Sequence, residues 1–171
     1  MRQVAKVAGV SKPLLYHYFP SKIALFKAAV AEKADELTRL IEPGDSTNTA
    51  LEQLTATLDG YLAWIDANAQ TWANLMKSAT TVPEAHQLID NFRQHTIDLV
   101  ITALTGQHSA PPALRIAVKG WLGYMDAAIL DWTEAKDLAR DQLRDLLLAA
   151  FAASLFAAQH ADPTIELNIS A

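Results

Sequence analysis

The stretch GVSKPLLYHYFPSK, residues 9–22, brings together Lys12, Tyr16, His17 and Lys22 without a single acidic residue. Cations, hydroxyls and a ring nitrogen free of carboxylates are the groups that donate hydrogen bonds to an anion, phosphate oxygens above all. Spacing decides which of them act together. On a helix, Pro13, Tyr16 and His17 share a face by i, i+3, i+4 geometry, with Lys12 one turn before Tyr16, whereas Leu15 and Phe19 share the opposite face. One face can pack while the other reads. Lys22 would open the next helix, where its ammonium and that helix's free N–H groups can bind a backbone phosphate.

Charge is distributed to match. The first 30 residues hold Arg2, Lys6, Lys12, Lys22 and Lys27 and no acid, a balance of +5, while the rest of the 171-residue chain holds 9 basic and 19 acidic residues, a balance of −10. A basic end on an acidic body is the electrostatic footprint of a protein that meets a polyanion at one end only; solvated charge on two short helices would look the same.

Other chemistries find little support. There is no cysteine, which removes disulfides, cysteine-ligated zinc and thiol nucleophiles. His86 and Asp90 form the one neat i, i+4 metal-type pair, and without an HExxH, P-loop or GxGxxG pattern it reads as a solvated helix face. We therefore expect no enzyme, no metal and no cofactor. The longest apolar run, Leu146 to Ala158, spans 13 residues including Ser154, short of the roughly 17–25 that a membrane helix needs. These features point to a soluble, cytoplasmic protein with no membrane partner.

The elements that must position these groups are helices throughout. Arg2 to Ala8 forms a short helix closed by Gly9; Ser11 caps a second, running to Phe19 with Pro13 in its first turn; Pro20 stops it and Ser21 caps a third. Ile23, Phe26, Val30, Ala34, Leu37 and Ile41 run down one face of that third helix. Pro43-Gly44-Asp45-Ser46 reads as a linker, so the chain divides into residues 1–42 and 43–171. Beyond it, Leu51 to Ile65, Gln70 to Ser78, a helix opened by Pro83 and carrying Leu88, Phe92, Leu99 and Ala103, one opened by Pro111-Pro112, and a last helix with apolar pairs at Leu146-Leu147 and Ala150-Phe151 complete an all-α fold, with a frayed tail from Ala161. A short helix, a glycine turn and a second helix with a basic, capped start is the helix-turn-helix arrangement, whose second helix enters the DNA major groove.

At this point a resemblance becomes specific. Val4-Ala5-x-x-Ala8-Gly9-Val10-Ser11-x-Pro13-x-Leu15-Tyr16-x-x-Phe19-x-Ser21-Lys22 resembles the DNA-binding signature of the TetR family of bacterial transcriptional regulators, across about residues 2–30. The resemblance implies that Lys12, Pro13 and Leu14 form the leading edge of the recognition helix, that Tyr16 and His17 meet phosphates or bases, and that Lys22 contacts phosphate at the start of the next helix. It also implies buried positions at Val4, Ala8, Val10 and Leu15. Leu14, where the family often has a small polar residue, could touch a thymine methyl or only pack. The family's DNA-binding bundle carries a helix before the helix-turn-helix, and this chain starts at the position of its second; without the first, the apolar faces around Val4, Ala8 and Leu15 would lack a lid.

For residues 43–171 the resemblance implies a ligand-binding and dimerisation region. Tyr61, Trp64, Trp72, Met76, Phe92, Trp121 and Met125 lie on successive helices that could converge on an apolar cavity, with His95 and Thr96 as polar anchors, although aromatic stripes of this kind also build ordinary cores. Gly120, Gly123, Ala127, Ala128, Ala149, Ala150, Ala153 and Ala157 place small residues on the last two helices, suited to a four-helix seam between two copies. The expectation is a homodimeric, ligand-responsive regulator, most simply a repressor, that binds a palindromic operator in double-stranded DNA and is released by a small, largely apolar effector. The rival is a dimeric sensor or interaction protein with no DNA role.

Overall fold

A computed structural model of the chain describes residues 1–42, 49–107 and 109–167. Within them lie eight helices and no strand: α1 (Arg2–Val7), α2 (Lys12–Tyr18), α3 (Lys22–Ile41), α4 (Ala50–Ala67), α5 (Ala69–Ala79), α6 (Pro83–Thr105), α7 (Pro112–Ala135) and α8 (Arg140–Ala161). The linker Pro43-Gly44-Asp45-Ser46, and with it the boundary between residues 42 and 43, falls outside the described residues.

Local signals set the first three helices. Gly9 takes φ 65°, the left-handed value that a side chain would oppose, and so turns the chain out of α1. Ser11 Oγ accepts from Leu14 N at 3.3 Å and Ser21 Oγ from Ala24 N at 3.0 Å, each satisfying one of the orphan donors at a helix start. Helices of six and seven residues are far too short to hold themselves. The caps and the contact of α1 with α2 hold them.

The body is held by packing. α7 lies against α8, α6 against α3, α5 and α7, and α4 against α3 and α8. On α7, Leu114, Val118, Trp121, Met125, Ile129 and Trp132, spaced three and four apart, are all buried. The Trp121 indole donates to Leu147 O at 2.9 Å and its ring lies 4.5 Å from that of Phe151, which locks α7 to α8. Leu37 of α3 belongs to this same core. The helix that carries the N-terminal pair is thus also a member of the body.

Two expectations change. On α6 the residues that pack are Ala85, Ile89, Ile97, Ile101 and Leu104, one stripe round from Leu88, Phe92, Leu99 and Ala103. The tail does not fray at Ala161: Ile165 is buried, its N–H donates to Asp162 O at 3.2 Å, and its carbonyl accepts from Gln159 Nε2 at 3.3 Å. No helix among the described residues is long and apolar enough to cross a membrane.

Candidate nucleic-acid interface and ligand cavity

Lys12, Pro13, Leu14, Tyr16, His17 and Lys22 are all exposed, and Leu15 behind them is buried. The Lys12 ammonium stands 5.7 Å from the centre of the Tyr16 ring, one turn along α2, so the two extend over the same face. Among the described residues, Arg2, Lys6, Lys12, Lys22 and Lys27 enter no ion pair, whereas in the body Lys77 meets Glu134, Lys136 meets Asp66 and Arg144 meets Asp59. Among the described residues the module's positive charge is left unneutralised.

The buried positions implied for this module need correction. Of Val4, Ala8, Val10 and Leu15 only Leu15 is buried, while Val4 is 41% exposed and Ala8 and Val10 also face solvent. No described element lies over that side of α1. Ala5, one position from Val4, is the residue that α1 does bury.

The body contains a cavity of about 320 Å³ bounded by α3, α4, α6 and α7. α4 contributes Leu54, Thr57, Leu58 and Tyr61; α6 contributes Phe92, Thr96, Leu99 and Ala103; α7 contributes Trp121 and Met125; and Ile41 and Glu42 close it from the end of α3. A smaller annex of about 40 Å³ shares the walls Tyr61, Phe92, Thr96, Leu122 and Met125 and reaches Lys33 and Leu37 of α3, Trp72 and Met76 of α5, and the Arg93–Asp126 pair. Seven of the nine residues singled out in the sequence, Tyr61, Trp72, Met76, Phe92, Thr96, Trp121 and Met125, therefore border one space or both.

Trp64 and His95 border neither. His95 is exposed on the outer face of α6, and the Trp64 indole instead donates to Glu36 Oε2 at 2.9 Å, tying α4 to α3. Lys33, which also bonds Glu36 at 2.8 Å, and the Trp64 N–H hold the Glu36 carboxyl below its ordinary pKa. Sequence reasoning missed the α3 wall and, apart from Tyr61, the α4 wall. Phe92, Thr96, Leu99 and Ala103 at i, i+4, i+7 and i+11 carried the usable signal: a second apolar stripe on α6, in excess of what its packed face requires.

The polar groups bordering the annex are largely committed. Arg93 Nη2 lies 2.6 Å from Asp126 Oδ2, and Arg93 also reaches Asp90 at 3.5 Å. Burial raises the Asp126 pKa despite that guanidinium. Tyr61 is pushed upward too, by burial first and by the Asp126 charge second, so its hydroxyl remains protonated.

The family model for the tetracyclin repressor-like C-terminal domain matches residues 51–154, and that for bacterial regulatory proteins of the tetR family matches residues 1–29. The chain belongs to the tetR family. This tetR-family chain overlays a tetR-family transcriptional regulator from Streptomyces coelicolor with a TM-score of 0.85 at 25% identity, covering 94% of this chain and 72% of that one. A TetR-like regulator from Rhodococcus sp. RHA1 gives 0.66 at 23% identity, covering 90% and 82%, which shows the shared fold. The HTH-type transcriptional activator FasR of Mycolicibacterium smegmatis is 34% identical over 71 residues, 41% of this chain, and the chain spans only 32% of FasR's length.

Proposed function

We propose that the protein is a ligand-responsive, DNA-binding transcriptional regulator that acts as a homodimer on a palindromic operator, with Lys12, Pro13, Leu14, Tyr16, His17 and Lys22 facing the duplex. One observation carries this reading. α3, which bears the α1–α2 module at its start, is also a wall of the cavity through Lys33, Leu37 and Ile41. An occupant of that space would contact the helix that leads from the DNA-facing module into the body. A ligand that prefers the DNA-incompetent tilt of α3 by a few kcal/mol is enough to release an operator, which makes repression the simplest mode. FasR is a transcriptional activator, which favours activation as a second reading.

The homodimer rests on the outer faces of α7 and α8. Ile116, Gly120, Gly123 and Ala127 recur at i, i+4, i+7 and i+11 on α7, and Leu146, Ala149, Ala153 and Phe156 at i, i+3, i+7 and i+10 on α8, all exposed. A methyl group added at Gly120 or Gly123 would meet nothing within 4 Å. Each of these mid-helix glycines costs about 0.5–1 kcal/mol relative to alanine, and nothing inside the protomer uses the space they leave. Close approach of a second copy would. Two recognition helices about 34–36 Å apart would then enter successive major grooves.

Selection of bound duplexes from a random pool, followed by mobility-shift titration at about 50 and about 200 mM salt, tests the reading. A two-fold symmetric consensus bound far more weakly at the higher salt is the expected result. Absence of any retained DNA at low salt would leave a dimeric sensor without a DNA role.

A further inference from the structure

The annex beside the main cavity has a polar end that the fold satisfies only in part. Trp72 is 1% exposed, and its Nε1–H, a group that can only donate, meets no acceptor in hydrogen-bond geometry. The Tyr61 hydroxyl faces that N–H closely enough for a weak side-chain interaction that counters part of the burial-driven rise in the tyrosine pKa, but outside full hydrogen-bond geometry, so the N–H is only partly satisfied. Both residues border the annex, as do two cations that are already engaged: Lys33 with Glu36 at 2.8 Å and Arg93 with Asp126 at 2.6 Å. The Asp126 carboxylate borders it as well. An arriving anion would find no free positive charge, because Lys33 is already paired with Glu36 and Arg93 with Asp126. A neutral oxygen would find a partly satisfied indole N–H and a hydroxyl. At about 40 Å³ the annex exceeds the roughly 10–15 Å³ that one water needs, so it admits a small polar group.

We propose that the annex receives the carbonyl or ether oxygen of a neutral, otherwise apolar ligand whose hydrocarbon portion fills the 320 Å³ cavity, with Trp72 Nε1–H and the Tyr61 hydroxyl as donors and with the corresponding carboxylate rejected. This rests on the reading of the main cavity as a ligand site. It adds a ligand class and two recognition residues.

Displacement of N-phenyl-1-naphthylamine, a neutral dye that has no oxygen acceptor, from the full-length protein separates the two claims. If the cavity takes apolar ligands, the dye binds and its fluorescence rises. 2-Decanone should then displace it at least tenfold more tightly than decanoate. In Trp72→Phe the affinity for 2-decanone should fall about tenfold while that for the dye stays within twofold. Dye binding with 2-decanone and decanoate equally effective, or a Trp72→Phe protein with unaltered ketone affinity, overturns the annex proposal and leaves the cavity reading standing. Failure of the dye to bind at all overturns both. Should Trp72→Phe unfold at markedly lower urea, Tyr61→Phe carries the same comparison, since it removes the second donor while keeping the ring.

Discussion

α1 and α2 together bury two residues, Ala5 and Leu15, whereas α7 and α8 bury twelve. The two helix pairs solve different problems. The first is placed by a left-handed glycine, two serine caps and its attachment to α3, and leaves almost its whole surface outward. The second is placed by interlocked aromatic and aliphatic side chains and still leaves one apolar stripe exposed. Stability therefore concentrates in the body and recognition in the module. Substitutions in the two regions should separate these properties.

The largest effect is expected at Trp121. Trp121→Ala removes the packing against Phe151 and the hydrogen bond to Leu147 O, and should cost about 3–5 kcal/mol in urea denaturation. A loss below about 1 kcal/mol would mean that α7 and α8 are not locked as described.

An intermediate and pH-dependent effect belongs to Arg93. Burial, the largest influence on Asp126, raises its pKa in the folded protein, and Arg93 opposes the rise. A carboxyl whose folded pKa is raised contributes stability that is complete below its unfolded value of about 3.9 and is lost as pH climbs through the folded value. Arg93→Met removes the opposing charge and pushes Asp126 higher still. The variant should therefore be weaker than its parent by about 2 kcal/mol near neutral pH, reduced from the full buried-pair range because the Arg93 side chain is 37% exposed. That deficit should shrink toward about pH 4–5. An equal deficit across this range would show that the Asp126 charge is not its source.

The smallest effect on the fold, and the sharpest separation of the two regions, lies at Lys22. Exposed and free of ion pairs among the described residues, it should change stability by less than about 0.5 kcal/mol when replaced by alanine. The slope of DNA affinity against salt should nonetheless fall by about one unit in each protomer. An unchanged slope would remove Lys22 from the phosphate contacts.

What the sequence made legible follows the same division. Caps and turns are local chemistry, so Gly9 places the end of α1, and Ser11 and Ser21 the starts of α2 and α3, within a residue. A helix buried on one wide face declares itself, and α7 does so completely. α6 was harder to read because it has two apolar stripes, one packed through Ile97 and Ile101 and one lining a cavity through Phe92 and Leu99, and both use the same residue types. Trp64 had the composition of a cavity residue, but its N–H found an acceptor across helices in Glu36, 28 positions earlier, a pairing that no periodicity encodes. The exposure of Val4, Ala8 and Val10 likewise depends on what packs over α1, not on the pattern within it.

The account turns on α3 coupling the cavity to the DNA-facing module. The most direct measurement is the affinity of the fluorescent dye for the full-length protein with and without a saturating concentration of its selected duplex. If occupancy and DNA binding oppose one another through α3, the duplex should weaken dye binding by at least fivefold, and the dye should weaken duplex binding by the same factor. Equal dye affinity in the two conditions would contradict the coupling.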